Sequence, residues 1–230
     1  MAATRILAIE TATAACSAAL SIDGEVEERY ALAPRQHAAL LLPMVESLLA
    51  SAGLSVTQLD ALAFGQGPGA FTGVRIAASA AQGMAFAANL PVVPVSTLAA
   101  LASGAMRETG ETHVMVALDA RMDEVYWGVY ARGAAGLPVL QGREAVAAPA
   151  AVPIPDGDRW IAAGSGWEAC ADRLVPRAGE RVVRLLPDLE PRAHDIALIG
   201  ADRFARGEAG CAGDAVPVYL RDQVVRAPGS

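Results

Sequence analysis

Two successive units of strands and helices constrain the fold of this 230-residue chain more than any other feature. The apolar segment RILAIETAT is followed by CSAALSIDGEVEERYAL, in which Asp23–Gly24 predicts a hairpin turn between two strands. Two helical patterns come next, the first ending at Gly53 and the second near Asn89. The strand LDALAFG follows the first helix, and the strand PVVPVS follows the second. The strands HVMVALDAR and EVYWGVYA then start the pattern again. This order predicts a duplicated α/β fold with two lobes.

The boundary between the two units is predicted near Gly104–Gly110, after the helical pattern TLAALASGAMRETG. The second unit continues with a third strand in LPVLQGREAV, the connector AAPAAVPIPDGDR, a strand and glycine turn in WIAAGSGWEAC, the strand RVVRLL and a helix around Asp195–Arg206. We therefore divide the chain into an N-terminal lobe (1–105), a C-terminal lobe (106–212) and a tail (213–230).

Composition narrows the function classes. Hydrophobic residues make up 53% of the chain and charged residues 19%, which supports a sizeable core and excludes an intrinsically disordered chain. The net charge of −7 and the lack of lysine argue against tight, direct RNA binding, which needs clustered positive charge. No apolar run reaches the roughly 18–20 residues of a membrane span. No signal peptide is recognisable, and three dispersed cysteines suit a reducing cytoplasm.

The glycine-rich segment GQGPGAFTGVRIAA at residues 65–78 poses the question of a phosphate-binding loop. A Walker A loop requires a lysine, and the chain has none. The loose dinucleotide fingerprint fits, but Pro68 removes a backbone N–H, and no acidic residue follows PVVPVS to bind a ribose. We interpret the loop as a tight structural turn made by Gly67, Pro68, Gly69 and Gly73. Thr72 is predicted as the N-cap of the following helix.

Histidines and serines give no catalytic constellation. His37, His113 and His194 do not stand at the spacing of a helical zinc pair, which argues against a metallopeptidase. No GxSxG segment marks a nucleophilic serine. We assign no catalytic, cofactor-binding or metal-binding residue.

Two polar segments leave alternatives open. Asp119, Asp123 and Glu124 in DARMDEVYWG could hold a divalent cation, but a hairpin turn with Arg121 paired locally is favoured. The glycines of AAGSGWEA could approach an adenine, or they could form a turn that opens a helix. Neither segment identifies a ligand.

The helical pattern over residues 37–52 is more apolar than the exterior of a lobe requires. Its apolar arc spans about 200°, whereas a surface helix typically shows little more than ~100°. Leu41, Val45 and Leu48 share one face, and Leu40 and Met44 widen it. Small residues in AASAAQGMAFAA permit close helix packing. Either the two helices cover each other, or a second protein covers them.

The segments LAIETAT, HAALLLPMVESLL, GPGAFTGVRIA, DARMDEVYWG and PVYLRD occur in the order found in the TsaB (YeaZ) family of bacterial tRNA threonylcarbamoyladenosine biosynthesis proteins. The chain resembles this family over nearly its whole length, with Ala70 standing where the family commonly has serine. The resemblance implies the two-lobed actin/Hsp70/sugar-kinase (ASKHA) superfold and a cytoplasmic location.

The resemblance also implies a partner protein without its own catalytic site. Family members pair with a larger paralogue, TsaD, which carries the metal-binding histidines and transfers the threonylcarbamoyl group to adenosine 37 of tRNAs that read ANN codons. A small ATPase, TsaE, joins the pair, and the chain alone is expected to form a homodimer. Contact with tRNA is expected to be indirect. No cofactor is expected, although weak or interface-shared ATP or ADP stays open. The alternatives are an ATP-dependent phosphotransferase of the same superfold and a glycoprotease-like peptidase.

The family's pairing surface is built from its first two helices. In this chain they correspond to His37–Leu49 and roughly Thr72–Phe86. The expected interface residues are His37, Leu40, Leu41, Met44, Val45, Leu48, Thr72, Arg75, Ile76, Ser79, Gln82, Gly83 and Phe86. On this expectation, either Leu41→Arg or Met44→Glu weakens pairing and leaves the isolated fold soluble.

Overall fold

The computed structural model describes residues 4–157 and 159–221, which form two sheets with helices packed around them. The strands of sheet 1 are β1 (Arg5–Glu10), β2 (Ala15–Ile22), β3 (Glu25–Leu32), β4 (Ala61–Gly65) and β5 (Val92–Val95), in the order β3-β2-β1-β4-β5. Strands β1, β2 and β3 are antiparallel, and β1, β4 and β5 are parallel. The turn between β2 and β3 has positive φ at Asp23 and Gly24, as a two-residue type I′ hairpin requires.

Sheet 2 repeats this topology. Its strands are β6 (His113–Asp119), β7 (Val125–Arg132), β8 (Pro138–Leu140), β9 (Ala145–Ala147), β10 (Trp160–Ala163) and β11 (Val182–Leu186). Their order is β11-β10-β6-β7-β8, and β9 also pairs with β7, so that two short strands replace the one predicted in LPVLQGREAV. As in sheet 1, an antiparallel meander is followed by two parallel strands. The predicted duplicated α/β architecture with two lobes is confirmed.

Within the described residues, six α-helices connect and cover the sheets: α1 (His37–Ala52), α2 (Phe71–Ala88), α3 (Thr97–Thr109), α4 (Gly166–Ala169), α5 (Ala171–Ala178) and α6 (Ala193–Ala205). Helix α1 ends at Gly53 and α2 ends at Asn89, both in the left-handed conformation. The predicted N-cap at Thr72 is wrong. The N-cap of α2 is Ala70. Its N–H donates to the Ala12 carbonyl, and its own carbonyl accepts the first hydrogen bond of the helix, from the Val74 N–H. The helix therefore begins at Phe71, before Thr72.

The helix that follows each sheet packs on the other sheet. Ile196 and Ala197 of α6 are buried against Ile6 and Ala63 of sheet 1. The equivalent helix after sheet 1, α3, packs its leucines on sheet 2, in a cluster of Leu98, Leu101, Val114, Val116 and Ile161. The two lobes therefore hold each other by exchanged helices.

An ion pair between an exposed arginine and a buried aspartate joins the exchanged helices. Arg107 of α3 donates to Asp195 of α6 at 3.0 Å, and the Asp195 side chain is 1% exposed. The predicted division between residues 105 and 106 falls inside α3, and α6 lies on sheet 1 although it follows sheet 2 in the chain. As limits of lobes, 1–105 and 106–212 stay a prediction. Residues 222–230 of the predicted tail lie outside the described residues.

The two lobes are covered differently. In lobe 1 the connection from β3 to β4 is the long helix α1, whereas lobe 2 has the Pro/Ala-rich connector at the equivalent place. Val152 of this connector is buried against Trp127 and Trp167. Arg177 of α5 donates to the carbonyl of Val152 at 2.9 Å and so holds the connector on the sheet. Long apolar helices on this side of a sheet are thus a feature of lobe 1.

The glycine loop between β4 and α2 packs directly against the turn between β1 and β2. A Cβ atom at Gly73 would overlap the carbonyl oxygen of Thr11, and one at Gly69 would overlap that of Ala12. The Thr11 hydroxyl donates to the Gly73 carbonyl at 2.7 Å. Gly67 has φ of 101°, and its peptide bond to Pro68 is cis. These contacts support a structural role for all four loop residues.

We predict that Gly73→Ala lowers the free energy of unfolding by about 2–4 kcal/mol, because the added methyl group has no space. Gly83→Ala in α2 is the matched control, since a Cβ there meets no atom within 4 Å. This control is expected to be neutral or to stabilise by about 0.5–1 kcal/mol through helix propensity. Urea unfolding followed by circular dichroism measures both. Equal stability of the two variants would contradict the close approach.

Candidate functional site

Helices α1 and α2 lie on the same face of sheet 1 and bury one side of each helix there. Leu41, Val45 and Leu48 are 2%, 3% and 0% exposed, in a core cluster with Ala77 and Ala81 of α2. The expectation that these three α1 side chains meet a partner is therefore wrong, because the chain's own core encloses them. Leu41→Arg would place an unpaired charge in that core and is not a test of pairing.

His37 also belongs to the interior. Its side chain is buried, and its Nε2 atom lies 3.2 Å from the carbonyl oxygen of Ala15 on β2. This contact fixes the first turn of α1 at the start of strand β2. The expected interface role of His37 is corrected to a packed, hydrogen-bonded histidine at the start of the helix.

The other expected interface residues face outward. Leu40 and Met44 of α1 are partly buried, and so are Ile76, Ala80 and Met84 of α2. Phe86 is 83% exposed, and Thr72, Ser79, Gln82 and Gly83 are exposed as well. We define the outer helix face as Leu40, Met44, Thr72, Arg75, Ile76, Ser79, Ala80, Gln82, Gly83, Met84 and Phe86. Its contact with another protein stays a prediction.

The outer helix face carries almost no charge. Glu46 is the only acidic residue of α1, which has no arginine or lysine, and Arg75 is the only charged residue of α2. By contrast, the eight-residue helix α5 contains Asp172, Arg173 and Arg177. A charge-poor, partly apolar surface on two adjacent helices is typical of a protein–protein contact.

A second feature is the cleft between the lobes, which has a volume of about 1150 Å³. Lobe 1 contributes the turn at residues 12–14 and the first turns of α1 and α2. Lobe 2 contributes the β6–β7 hairpin and the start of α4, and residues 218–221 complete the lining. Its charged lining residues are Arg35, Arg75, Asp119, Arg121, Glu168, Glu190 and Arg221.

The β6–β7 hairpin holds its carboxylates by ion pairs. Arg121 pairs with Asp119 at 2.9 Å, and Arg173 of α5 lies 3.3 Å from Asp123. Glu124 pairs with Arg221. Arginines thus stand where a divalent cation would have to bind, which supports the local hairpin pairing. Among residues 4–157 and 159–221, no group of three potential metal ligands lies together.

The glycine turn of AAGSGWEA is also explained by packing. Gly164 has φ of 101°, and a Cβ there would come within 2.5 Å of the Ala117 carbonyl oxygen on β6. At Gly166 it would meet the Ala117 backbone at 2.9 Å. The Ser165 hydroxyl accepts a hydrogen bond from the Asp119 N–H at 3.2 Å. The turn that opens α4 accounts for both glycines without a nucleotide.

Glu10 is a buried carboxylate to which the sequence pattern assigned no role. It accepts hydrogen bonds from the Ala12 N–H at 2.6 Å and the Thr97 hydroxyl at 2.9 Å, and it packs against Gly65. Complete burial raises the pKa of Glu10 to about 7, against the lowering effect of these hydrogen bonds. The one available signal was an acidic residue at the end of an apolar strand.

Sequence reasoning also missed four contacts, two around Glu144 at the lobe junction and two around Arg75 at the cleft. Glu144 of lobe 2 accepts hydrogen bonds from Ser96, which caps α3, and from Tyr130 of β7. At the start of α2, the Arg75 guanidinium lies over the Phe71 ring at 3.2 Å and near the Tyr219 ring at 4.9 Å. The Ser96–Glu144, Tyr130–Glu144 and Arg75–Tyr219 pairs are distant in sequence, so no local pattern predicts them. Arg75 and Phe71 are four residues apart on α2, a spacing that brings side chains together on one side of a helix.

Comparison with known proteins identifies the family. A family described as "TsaD: tRNA N6-adenosine threonylcarbamoyltransferase" matches residues 30–176. The "tRNA threonylcarbamoyladenosine biosynthesis protein TsaB" of Escherichia coli K12 is 44% identical over 228 residues, which cover 96% of each chain. The chain belongs to the TsaB/YeaZ family. The solved structure "YeaZ from Pseudomonas aeruginosa" has a TM-score of 0.88 at 47% identity and covers 94% of this chain and 100% of its own.

This YeaZ match confirms the two-lobed, ASKHA-like fold expected from the resemblance. A relative from Haemophilus influenzae with the same TsaB name is 50% identical over 127 residues, which cover 55% of this chain and 54% of its own. Within the part of the chain that the structure describes, no helix combines the length and the apolar character that crossing a membrane requires.

We predict that Glu10 makes stability depend on pH. Its pKa is about 7 in the folded state and near 4.5 when exposed, so the folded state binds more protons between these values. The stabilisation from the protonated carboxyl is complete below pH 4.5 and is lost as pH rises through 7. The difference amounts to about 3 kcal/mol.

Urea unfolding at pH 5 and pH 8 measures this effect in the wild type and in Glu10→Gln, which keeps an acceptor for the Ala12 N–H. The wild type is expected to lose more stability than the variant between the two values, because glutamine does not titrate. Taking the difference removes the contribution of other titrating groups. Parallel pH profiles would show that Glu10 is not the responsible group.

Proposed function

We propose that this chain is a non-catalytic subunit of the bacterial assembly that forms N6-threonylcarbamoyladenosine at position 37 of tRNA. The outer helix face is the observation that carries the proposal, since it presents apolar and small side chains with a single charge, that of Arg75. The names of the E. coli and H. influenzae relatives support the pathway. Binding to a partner is the role that such a face suits.

The proposed partner is the paralogous TsaD subunit. The family matched over residues 30–176 is described by the TsaD transferase activity, so this chain and such an enzyme share a fold. A relative with the same fold presents an equivalent helix pair, and small side chains at Ala80 and Gly83 let helices approach closely. Without that partner, the same face supports a homodimer related by a two-fold axis.

The chemistry of the cleft supports a binding role over a catalytic one. Asp119 of the cleft lining is paired with Arg121, and the neighbouring hairpin carboxylates Asp123 and Glu124 are also paired with arginines. Glu10 lies outside the lining and is turned into the core. We propose that threonylcarbamoyl transfer takes place on the paralogue, and that a TsaE-type ATPase acts on the same assembly. With a net charge of −7, this chain is proposed to contact tRNA only through its partners, in the cytoplasm.

We predict that Met44→Glu and Phe86→Glu each raise the Kd for the TsaD paralogue by about 30-fold or more, because a charge would have to be buried in an apolar contact. Leu185→Glu is the matched control: this leucine is 41% exposed on β11 of lobe 2, away from the outer helix face. Isothermal titration calorimetry measures the affinities, and circular dichroism checks that each variant is folded.

Unchanged affinity for both variants would contradict the assignment of the outer helix face. An equal loss in Leu185→Glu would show that the effect is not specific to it. A separate experiment tests the non-catalytic role: turnover of Mg-ATP by the isolated chain would favour the phosphotransferase alternative. Size measurement of the isolated chain and of Phe86→Glu tests the homodimer, which the variant is expected to dissociate.

A further inference from the structure

The segment Val216–Arg221, which we call the C-terminal strap, bridges the two lobes at the cleft. Its residues Val218 to Arg221 line the cleft together with the glycine loop of lobe 1 and the β6–β7 hairpin of lobe 2. The strap follows α6 and the turn at residues 212–214, so it lies outside both sheets. It can therefore connect the glycine loop of lobe 1 with the β6–β7 hairpin of lobe 2, which neither sheet joins.

The strap is anchored to lobe 1 by backbone and aromatic contacts. The Val218 N–H donates to the carbonyl of Gln66 at 2.8 Å. The Val218 carbonyl oxygen lies 3.1 Å from the position a Cβ would take at Gly67, so this approach depends on glycine. The Tyr219 ring packs beside the Phe71 ring at 6.2 Å, on the first turn of α2.

The anchor on lobe 2 is the side chain of Arg221. Its Nη2 group donates to the Ala120 carbonyl at 3.1 Å and pairs with the Glu124 carboxylate. The side chain is 18% exposed, so solvent screens this pair less than it screens a surface ion pair. Nη1 also lies 3.2 Å from the sulfur of Met122. The Arg221 side chain thus contacts three residues of the hairpin, Ala120, Met122 and Glu124.

Other polar links between the lobes lie away from the cleft lining. Among them are the Arg107–Asp195 ion pair between α3 and α6, and the bond from Ser96 to Glu144. Two lobes joined beside α3 and separated by a cleft have the form of a hinged pair. Among the described residues that line the cleft, Arg221 is the one whose contacts tie the strap to the hairpin.

We propose that the C-terminal strap is a conformational tie that sets the opening of the cleft. With Arg221 bound, the hairpin is held at a fixed distance from the glycine loop and from the first turn of α2. When the Arg221 side chain leaves Ala120 and Glu124, its contacts no longer favour the narrow cleft. The lobes then rotate apart, with the hinge on the side of α3. Because Tyr219 packs on Phe71, the same release loosens the start of α2. This device is a property of the isolated chain and does not depend on the identity of a partner.

Hydrogen–deuterium exchange of the full chain tests the tie. Arg221→Ala is expected to accelerate exchange about tenfold in the peptides that contain the Val218 N–H and the Ala120 N–H, which report the two ends of the strap. Arg121→Ala is the matched control, because its ion pair with Asp119 lies within the hairpin and its side chain is 86% exposed. This control is expected to leave the Val218 peptide unchanged.

A double-mutant comparison separates the tie from a local effect. Glu124→Gln is expected to accelerate exchange at Val218, and Arg221→Ala combined with Glu124→Gln is expected to resemble Arg221→Ala alone, since both changes break one contact. Small-angle scattering should show a larger radius of gyration for Arg221→Ala. Unchanged exchange at either end, an equal effect of Arg121→Ala, or additive effects of the two substitutions would each overturn the proposal.

Discussion

The close approach of the glycine loop to the β1–β2 turn is the contact on which the rest of the structure depends. The loop binds neighbours on every side through its backbone. Gln66 donates to Val95 and accepts from Val218, the Gly67 carbonyl accepts from Thr97 at the start of α3, and Ala70 donates to Ala12. Gly69 and Gly73 leave the space that the backbone of Thr11 and Ala12 occupies, so the Ala70–Ala12 bond of the turn depends on them. One short segment therefore positions α2, α3 and the C-terminal strap.

Duplication of the sheet makes the difference between the lobes informative. Both sheets have the same strand order and directions, so the sheet alone does not decide what covers it. Lobe 1 is covered by two long helices with few charges, whereas lobe 2 is covered by an irregular connector and short helices that carry ion pairs such as Arg173–Asp123. A face that only met water would gain solubility from charge, as α5 does. The low charge of α1 and α2 therefore supports the proposal that this face meets another protein.

The elements were predictable from sequence because their signals are local. Asp23–Gly24 requires a hairpin, and Gly53 ends α1 by adopting a conformation that other residues avoid. The site was less predictable. The helical wheel gave the width of the apolar arc on α1, but not which part sheet 1 covers, so Leu41 was placed in the interface although it lies in the core. Contacts between distant segments, such as Arg107–Asp195 and Arg221–Glu124, leave no local pattern at all.

The outer helix face also bears on how a partner is chosen. If the proposed homodimer and the proposed complex with the paralogue both use side chains such as Met44 and Phe86, the two associations exclude each other. On this proposal a homodimer shields the apolar surface from non-specific contacts, and the net charge of −7 adds a mutual repulsion that opposes self-association. The apparent affinity of this chain for the paralogue is then its intrinsic affinity multiplied by the fraction of the chain that is not in the homodimer. The proposed function therefore requires weak self-pairing and strong cross-pairing, since a tight homodimer would withhold the outer helix face from the paralogue.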